Sequence, residues 1–395
     1  MNYQRPFKFF VKSYLLLLFF VLFGCNSETS QSQKKAVLTA QSNFSDQVKI
    51  NHAKGFTIVY HQNYKLVSIV NPFEKTADTT RYILLEKGAS RPAGFEKAQV
   101  IEIPVKKLVA TSSMHVALLE FLESEAVITG ISSPQYIYSP KILDMVKAGK
   151  VVDVGRDQGL NEEKLVELHP DVVIAMGSPG ANTDPYRILA QAGIPVLVNS
   201  EWVEKTPLAR AEWVKLMAAL VNQEKLVNEK FDQIEAAYFR LAELARKTKR
   251  KPSILSGLNS KDAWFLPSGD GYMAQFFRDA GGAYHWNATK ATGSIPLNFE
   301  SVYPVALQAD VWLNVGFGKN DKKADILAQD SRYSDFKAFK SGQMYSYNAR
   351  VNDSGANDFF ESGTMNPHIV LADLIKVLHP ELLPEHTLVY YKQLK

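Results

Sequence analysis

The chain has 395 residues, 46% of them hydrophobic, and a single cysteine. That length is ample for more than one core, while one thiol excludes a disulfide framework, a cysteine-ligated zinc site and an iron–sulfur site. Lys and Arg number 45 against 41 Asp and Glu, and no basic stripe stands out beyond Arg246–Lys251, so nucleic acid is not an expected partner.

The first 24 residues read as an export signal. Arg5, Lys8 and Lys12 precede an apolar run over 14–23, and Gly24 stands before Cys25. The run falls short of the about 20 apolar residues a spanning helix needs. Leu22-Phe23-Gly24-Cys25 resembles a lipoprotein box, which implies a diacylglycerol on Cys25 and a chain held in the cell envelope, facing the periplasm, on a membrane anchor. A plain signal peptide with an incidental cysteine is the alternative. Residues 25–48 are polar and rich in Ser and Gln, the composition of a flexible tether.

Residues 49–105 read as a β-rich extension. GFTIVY (55–60) and YKLVSIV (64–70) flank the polar HQN and predict a hairpin, and TRYILLE (80–86) and AQVIEIPV (98–105) predict two more strands. The pattern changes over 106–222. KLVAT (107–111), AVITGI (126–131), VVDVG (151–155), DVVIAM (171–176) and PVLVN (195–199) alternate with helical stretches such as 115–123 and 162–169. Strand, helix and strand at this spacing predict a parallel sheet covered by helices.

Between 207 and 250 there is no Gly, and Pro207 at the start is the only Pro. Val227, Phe231, Ile234, Tyr238, Leu241 and Ala245 fall on one helix face. Residues 223–247 as one helix would run about 37 Å at 1.5 Å per residue. Such a helix, within a linker at 223–250, is either a long core helix or a rigid strut between two lobes. After Pro252 the alternation resumes through 251–395, with strands at 252–258, 263–267, 311–316 and 343–347 and helices at 272–280 and 367–378. The expected fold class is α/β: two Rossmann-like lobes joined by one long backbone helix, with an N-terminal β-rich extension.

The halves share an echo. Leu160-Asn161-Glu162-Glu163 precedes a helical stretch and then Asp171-Val172-Val173-Ile174. Leu297-Asn298-Phe299-Glu300 precedes another and then Asp310-Val311-Trp312-Leu313. Asn is a good N-cap in each copy. Glu163 and Glu300 then either favour the helix dipole or present one carboxylate per lobe to arginines of a two-fold symmetric partner.

Together these features resemble the substrate-binding proteins of ABC importers, in the class that takes iron–siderophore complexes, haem and cobalamin. The resemblance covers about 106–390 and is carried by the segments 106–132, 151–175, 193–198 and 268–282. The extension at 49–105 lies outside the usual family core. The resemblance implies a monomeric, non-enzymatic capture protein without a cofactor. It also implies a cleft between the lobes for a small-molecule metal chelate, and a permease dimer docked through Glu163 and Glu300. Siderophore or haem is the first expected cargo, and a corrinoid is the alternative.

Ligands of open α/β sheets sit beyond the carboxyl ends of strands. On that rule the candidate contacts in the first lobe are Ser113, His115, Tyr136, Arg156, Asp157, Ser178 and Trp202. Those in the second are Trp264, Tyr272, Trp286, Arg350 and Phe360. Aromatic rings can stack on a flat chelate, and Arg156 and Arg350 can pair with its negative charge. Each has a plainer reading: His115 as a hydrogen-bonded loop histidine, Arg350 as the tie of a polar loop. Trp213 and Trp312 read as core. A bare zinc or manganese carrier would need converging His and carboxylate ligands, whereas the eight His are scattered from His52 to His386. An exported hydrolase is the third reading, and no G-x-S-x-G, HExxH or Walker loop supports it.

Overall fold

The computed structural model describes residues 42–70, 79–156, 159–177, 184–261, 263–291, 293–316 and 318–395. The expected export signal, Cys25 and residues up to 41 of the expected tether lie outside the described residues, whereas its end is no flexible tether: Asn43 N donates to Gln62 O and Val48 N to Tyr60 Oη at 3.1 Å each, and Val48 is buried in the core.

The extension is a four-stranded sheet of β1 (Phe56–Tyr60), β2 (Tyr64–Val70), β3 (Thr79–Glu86) and β4 (Gln99–Ile103), in that order. The expected hairpin is β1–β2. The two-residue period of β2 turns Lys65, Val67 and Ile69 inward. Phe56, Val67, Ile69 and Tyr82 share one core with Leu108, Leu118 and Ile131 of the lobe that follows. The extension is therefore part of the lobe's core, not an appendage on it.

Lys65 is fully buried, which is tolerable only with full pairing. Its Nζ donates to Ala219 O and Asn222 Oδ1 at 2.7 Å each and to Glu224 Oε1 at 2.5 Å. Burial lowers the Lys65 pKa, and Glu224 pulls the other way.

The first lobe runs β5 (Leu108–Ala110), α1 (Ser113–Phe121), β6 (Ile128–Ile131), α2 (Pro140–Lys147) and β7 (Val152–Asp153). A short hairpin of β8 (Gly155–Arg156) and β9 (Gly159–Leu160) follows. Then come α3 (Glu162–Leu168), β10 (Val172–Met176), α4 (Asp184–Gln191) and β11 (Val196–Asn199). Its sheet has the order β11-β10-β5-β6-β7 and is parallel throughout. β11 is an edge strand, and an open edge invites association. The extension covers it with side chains: Val196 N donates to Gln99 Oε1 at 2.8 Å, Gln99 Nε2 to Val196 O at 3.2 Å, and Val198 N to Tyr82 Oη at 3.3 Å.

The helical run after Pro207 is divided into α5 (Pro207–Ala211), α6 (Val214–Val221) and α7 (Glu224–Arg246). Asn222, left-handed at φ 58°, closes α6. α7 is unbroken over 23 residues, about 35 Å. Val227 and Phe231 of its apolar stripe enter the first lobe's core, while Ile234, Tyr238 and Ala245 enter the second's. One helix divided between two cores is a strut, which decides between the two readings of 223–247.

The second lobe begins with β12 (Ser253–Ser256), β13 (Asn259–Ser260), β14 (Ala263–Pro267), α8 (Tyr272–Asp279), β15 (Ala283–Tyr284), β16 (Ser294–Leu297), α9 (Phe299–Ala306) and β17 (Val311–Leu313). It continues with α10 (Lys323–Gln329), α11 (Lys337–Ser341), β18 (Met344–Ser346), α12 (Ser362–Met365), α13 (Pro367–Leu378) and β19 (Lys392–Gln393). The main sheet is β15-β12-β17-β18-β19, with only β19 antiparallel. β13, β14 and β16 form a separate antiparallel sheet.

The sequence echo is a geometric one. Asn161 Oδ1 accepts from Lys164 N, and Asn298 Oδ1 from Ser301 N, both at 2.9 Å. Asp171 Oδ2 accepts from Lys106 N at 2.7 Å and Lys107 N at 2.8 Å, at the start of β5. Asp310 Oδ2 accepts from Ser253 N at 2.8 Å, at the start of β12. Partial burial works against the Asp310 charge, but Lys337 and the Ser253 donors outweigh it and hold the pKa at about 2. The same cap and the same strand clamp recur in both lobes.

The lobes also touch away from α7. Glu361, 2% exposed, accepts from Tyr138 N at 2.7 Å and Ser139 N at 2.8 Å across the junction. Asn352 Nδ2 donates to Ile137 O at 3.0 Å beside them.

Candidate ligand-binding cleft

The floor of the cleft is built from the carboxyl ends of the second lobe's parallel strands. Ser256 ends β12, Asn314 follows β17, and Tyr347 follows β18. Asn314 Nδ2 donates to Ser256 Oγ at 3.0 Å, and its Oδ1 accepts from Tyr391 Oη at 2.8 Å. Tyr347 stacks on Phe359 at 4.6 Å and 14°, and Phe360 meets Tyr347 edge-on at 5.2 Å. Tyr272, at the start of α8, and Phe265, exposed on β14, complete the aromatic surround.

The opposite wall comes from the segment between β11 and α6. It brings Trp202 and Arg210 to a cavity of about 650 Å³ that all these groups line. The Trp202 indole N–H donates to Gly177 O, which fixes the ring. The Arg210 guanidinium lies 4.2 Å from the centre of the Tyr272 ring, and Arg210 Nη2 donates to Glu201 Oε1 at 3.2 Å. Burial raises the Glu201 pKa despite that neighbour. Arg210 Nε has no hydrogen-bond partner among the described residues. A smaller cavity of about 40 Å³ opens beside the first, between Arg210, Tyr272 and Phe360.

Of the expected contacts, the structure brings Trp202, Tyr272 and Phe360 together here. Asp157 and Ser178 lie outside the described residues. Ser113 opens α1, capped by Ser112, and is half-buried. Arg156 is exposed on the β8–β9 hairpin, and Tyr136 is exposed on a short 3-10 turn. Trp286 packs against Tyr284 at 5.7 Å, on the rim of the second lobe's core.

Three expectations need correction. Trp264 is fully buried 5.8 Å from Trp312 in an aromatic core, because β14 turns it inward. Arg350 is spent on Asp358 at 2.5 Å and lies over Tyr138 at 5.4 Å, so it ties down the loop at the lobe junction. His115 is fully buried inside α1, and neither ring nitrogen has a hydrogen-bond partner among the described residues. It is thus neither a ligand contact nor the hydrogen-bonded loop histidine of the plainer reading.

Burial pushes the His115 pKa down to about 3. The unfolded chain, with an ordinary value near ~6.5, takes up the proton first, so this residue costs stability as pH falls below ~6.5. His115→Met is expected to bind cargo like wild type and to show a shallower loss of stability between about pH 6.5 and 4 in urea denaturation series. An unchanged slope would contradict the burial argument.

Arg210, Ser256 and Asn314 line the cleft without having been among the expected contacts. The strand-end rule, applied to β12 and β17 as it was to the first lobe, would have found the last two. Arg210 lies inside a helix and carried no local signal.

Glu163 and Glu300 each occupy the second position of a helix, α3 and α9, and both are exposed. Among the described residues neither side chain takes part in an ion pair or a hydrogen bond. No group of three or more His, Cys, Asp or Glu among the described residues is placed to hold a metal ion.

A family model described as a periplasmic binding protein matches residues 108–351. An uncharacterized lipoprotein of Methanocaldococcus jannaschii is 26% identical over 359 residues, which cover 84% of this chain and 82% of the relative. Among solved structures, a periplasmic haem-binding protein of Roseiflexus superposes with a TM-score of 0.53 at 18% identity, covering 70% of this chain and 99% of its own. A protein of Staphylococcus epidermidis, described as a possible iron-binding, periplasmic solute-binding protein, gives a TM-score of 0.55 at 16% identity with the same coverage. At these identities the likeness is one of fold.

Proposed function

The chain belongs to the periplasmic binding protein family, and from that premise we propose that it captures an iron chelate, a siderophore complex or haem, and delivers it to an ABC permease. The observation that carries this reading is the aromatic cleft between two cores spanned by one unbroken helix. Tyr272, Tyr347, Phe359 and Phe360 line the crevice with aromatic surface suited to a flat or ring-bearing cargo. Arg210, paired with Glu201, adds a cation to the lining, suited to an acidic or carbonyl group on the cargo's edge. The haem- and iron-binding descriptions of the structural neighbours point the same way. The cleft binds and releases, and no chemical step is assigned to it.

The matched Asn caps of α3 and α9 support Glu163 and Glu300 as the two docking carboxylates, one per lobe, for a two-fold permease. The lipoprotein relative supports a lipid on Cys25 and a place in the cell envelope.

Titration of the protein lacking residues 1–24 with haemin, a ferric tris-catecholate and cyanocobalamin tests the reading through tryptophan fluorescence. Saturable quenching by haemin or the ferric catecholate is expected. Saturation by cyanocobalamin alone would move the cargo to corrinoids. Flat titrations with all three, alongside saturable zinc binding, would overturn the chelate reading.

A further inference from the structure

The cleft wall that carries Arg210 is held from behind by the N-terminal extension. α5 has only five residues, far below the about 12–15 at which an isolated helix becomes even marginally stable, so its position is set by its neighbours. Two buried carboxylates bracket it. Glu204 lies two residues after Trp202, and Glu212 two residues after Arg210.

Both face away from the cleft, onto five consecutive backbone N–H groups. Glu212 accepts from Asn51 N at 2.9 Å, His52 N at 2.6 Å and Ala53 N at 2.7 Å, and also from Lys215 Nζ at 2.8 Å. Glu204 Oε1 accepts from Lys54 N and Gly55 N at 2.9 Å each, and from Trp213 Nε1 at 3.0 Å. Burial works against the Glu212 charge, yet these donors bring its pKa below the usual carboxylate value. The segment is fixed in turn: Lys215 Nζ donates to Lys49 O at 2.7 Å and Asn228 Nδ2 to Gln47 O at 3.0 Å. There is no slack at Gly55, where a Cβ would stand 2.7 Å from the Trp213 ring.

We propose that residues 51–55 are a positioning strap that sets the Trp202–Arg210 wall of the cleft, with Glu204 and Glu212 as positioning residues for cargo affinity. Carboxylates fix position well here because each satisfies several N–H groups that would otherwise be unpaired on burial. The strap lies outside residues 108–351, the part of the chain that matches the family, so it is an addition that reaches the shared site from outside. Its effect on cargo rests on the cleft reading above, whereas its effect on the wall does not.

The test uses Glu212→Gln, which turns an amide N–H₂ toward N–H donors, and Gly55→Ala, which drives a methyl into Trp213. In chelate-free protein, amide hydrogen exchange across 201–212 is expected to speed up about tenfold in both variants, with α13 unchanged. Haemin affinity, followed by tryptophan quenching, is expected to fall about tenfold. Adding Arg210→Lys to Glu212→Gln should cost less than the same change in wild type, since the strap acts through Arg210.

Unchanged exchange at 201–212, or a rise spread evenly over both lobes, would overturn the proposal, as would affinity losses that simply add. If wild type does not bind haemin, affinity is followed with the ferric tris-catecholate instead; if it binds neither, the cargo reading fails on that evidence and the exchange result alone decides the strap. If Glu212→Gln does not fold, Gly55→Ala carries the same comparison.

Discussion

Glu163→Ala combined with Glu300→Ala is expected to abolish chelate uptake while leaving the protein's affinity for the chelate at its wild-type value. Both carboxylates are exposed at the second position of their helices, and neither helps to build the cleft. The caps that start those helices are Asn161 and Asn298, which the substitutions leave in place. What is lost in stability is a charge–dipole contribution of about 0.3–1 kcal/mol at each site. Folding and capture should therefore survive, and the only casualty is a contact with another molecule. Uptake of radiolabelled chelate by cells that depend on this chain reads the first quantity, and fluorescence titration reads the second. Each single variant should retain part of the uptake, since one lobe still docks. Normal uptake in the double variant would return both residues to the role of helix-end charges.

Glu224→Ala is expected to destabilise the chain by about 3–5 kcal/mol, the cost of leaving a buried cation without its counter-charge. The cation is Lys65, on the inward face of β2, and Glu224 opens the strut helix. The pair therefore joins the extension to α7. Asn222 Oδ1 and Ala219 O would still hold Lys65 Nζ, but neither supplies a charge. Lys65→Met added to Glu224→Ala should recover much of the loss, because a buried ion pair can be replaced by apolar groups far more cheaply than it can be broken. Denaturant unfolding measures both. A loss under about 1 kcal/mol in the single variant would mean that water reaches Lys65.

The fold was legible where periodicity was strong. The stripe from Val227 to Ala245 forecast α7 almost to the residue, and the echo around Asn161 and Asn298 forecast two lobes with the same cap. Only the packing shows that the stripe is divided between two cores. The start of the strut just after Asn222 was placed from the stripe, but the division of the preceding run into α5 and α6 was less legible, since no Gly or Pro separates them. The depth of the extension's involvement was also hidden, because Gln99, Glu204 and Glu212 act through long-range backbone contacts that local pattern does not encode. The strand-end rule pointed to the loop aromatics Trp202 and Phe360, and the fold brings both to the lining of the cleft. The same rule misassigned Trp264, since it gives no information on which way a strand residue points. Arg210 was out of reach, because it enters the cleft only when the strap and α5 are in place.

The position of bound cargo is the most direct test of a cleft between the two lobes. The decisive measurement is a crystal structure of the protein with whichever chelate saturates it in solution. The chelate is expected between Trp202 and Arg210 on one side and Tyr272, Tyr347 and Phe360 on the other, with α7 still unbroken. A chelate bound elsewhere while this crevice stays unfilled would contradict it.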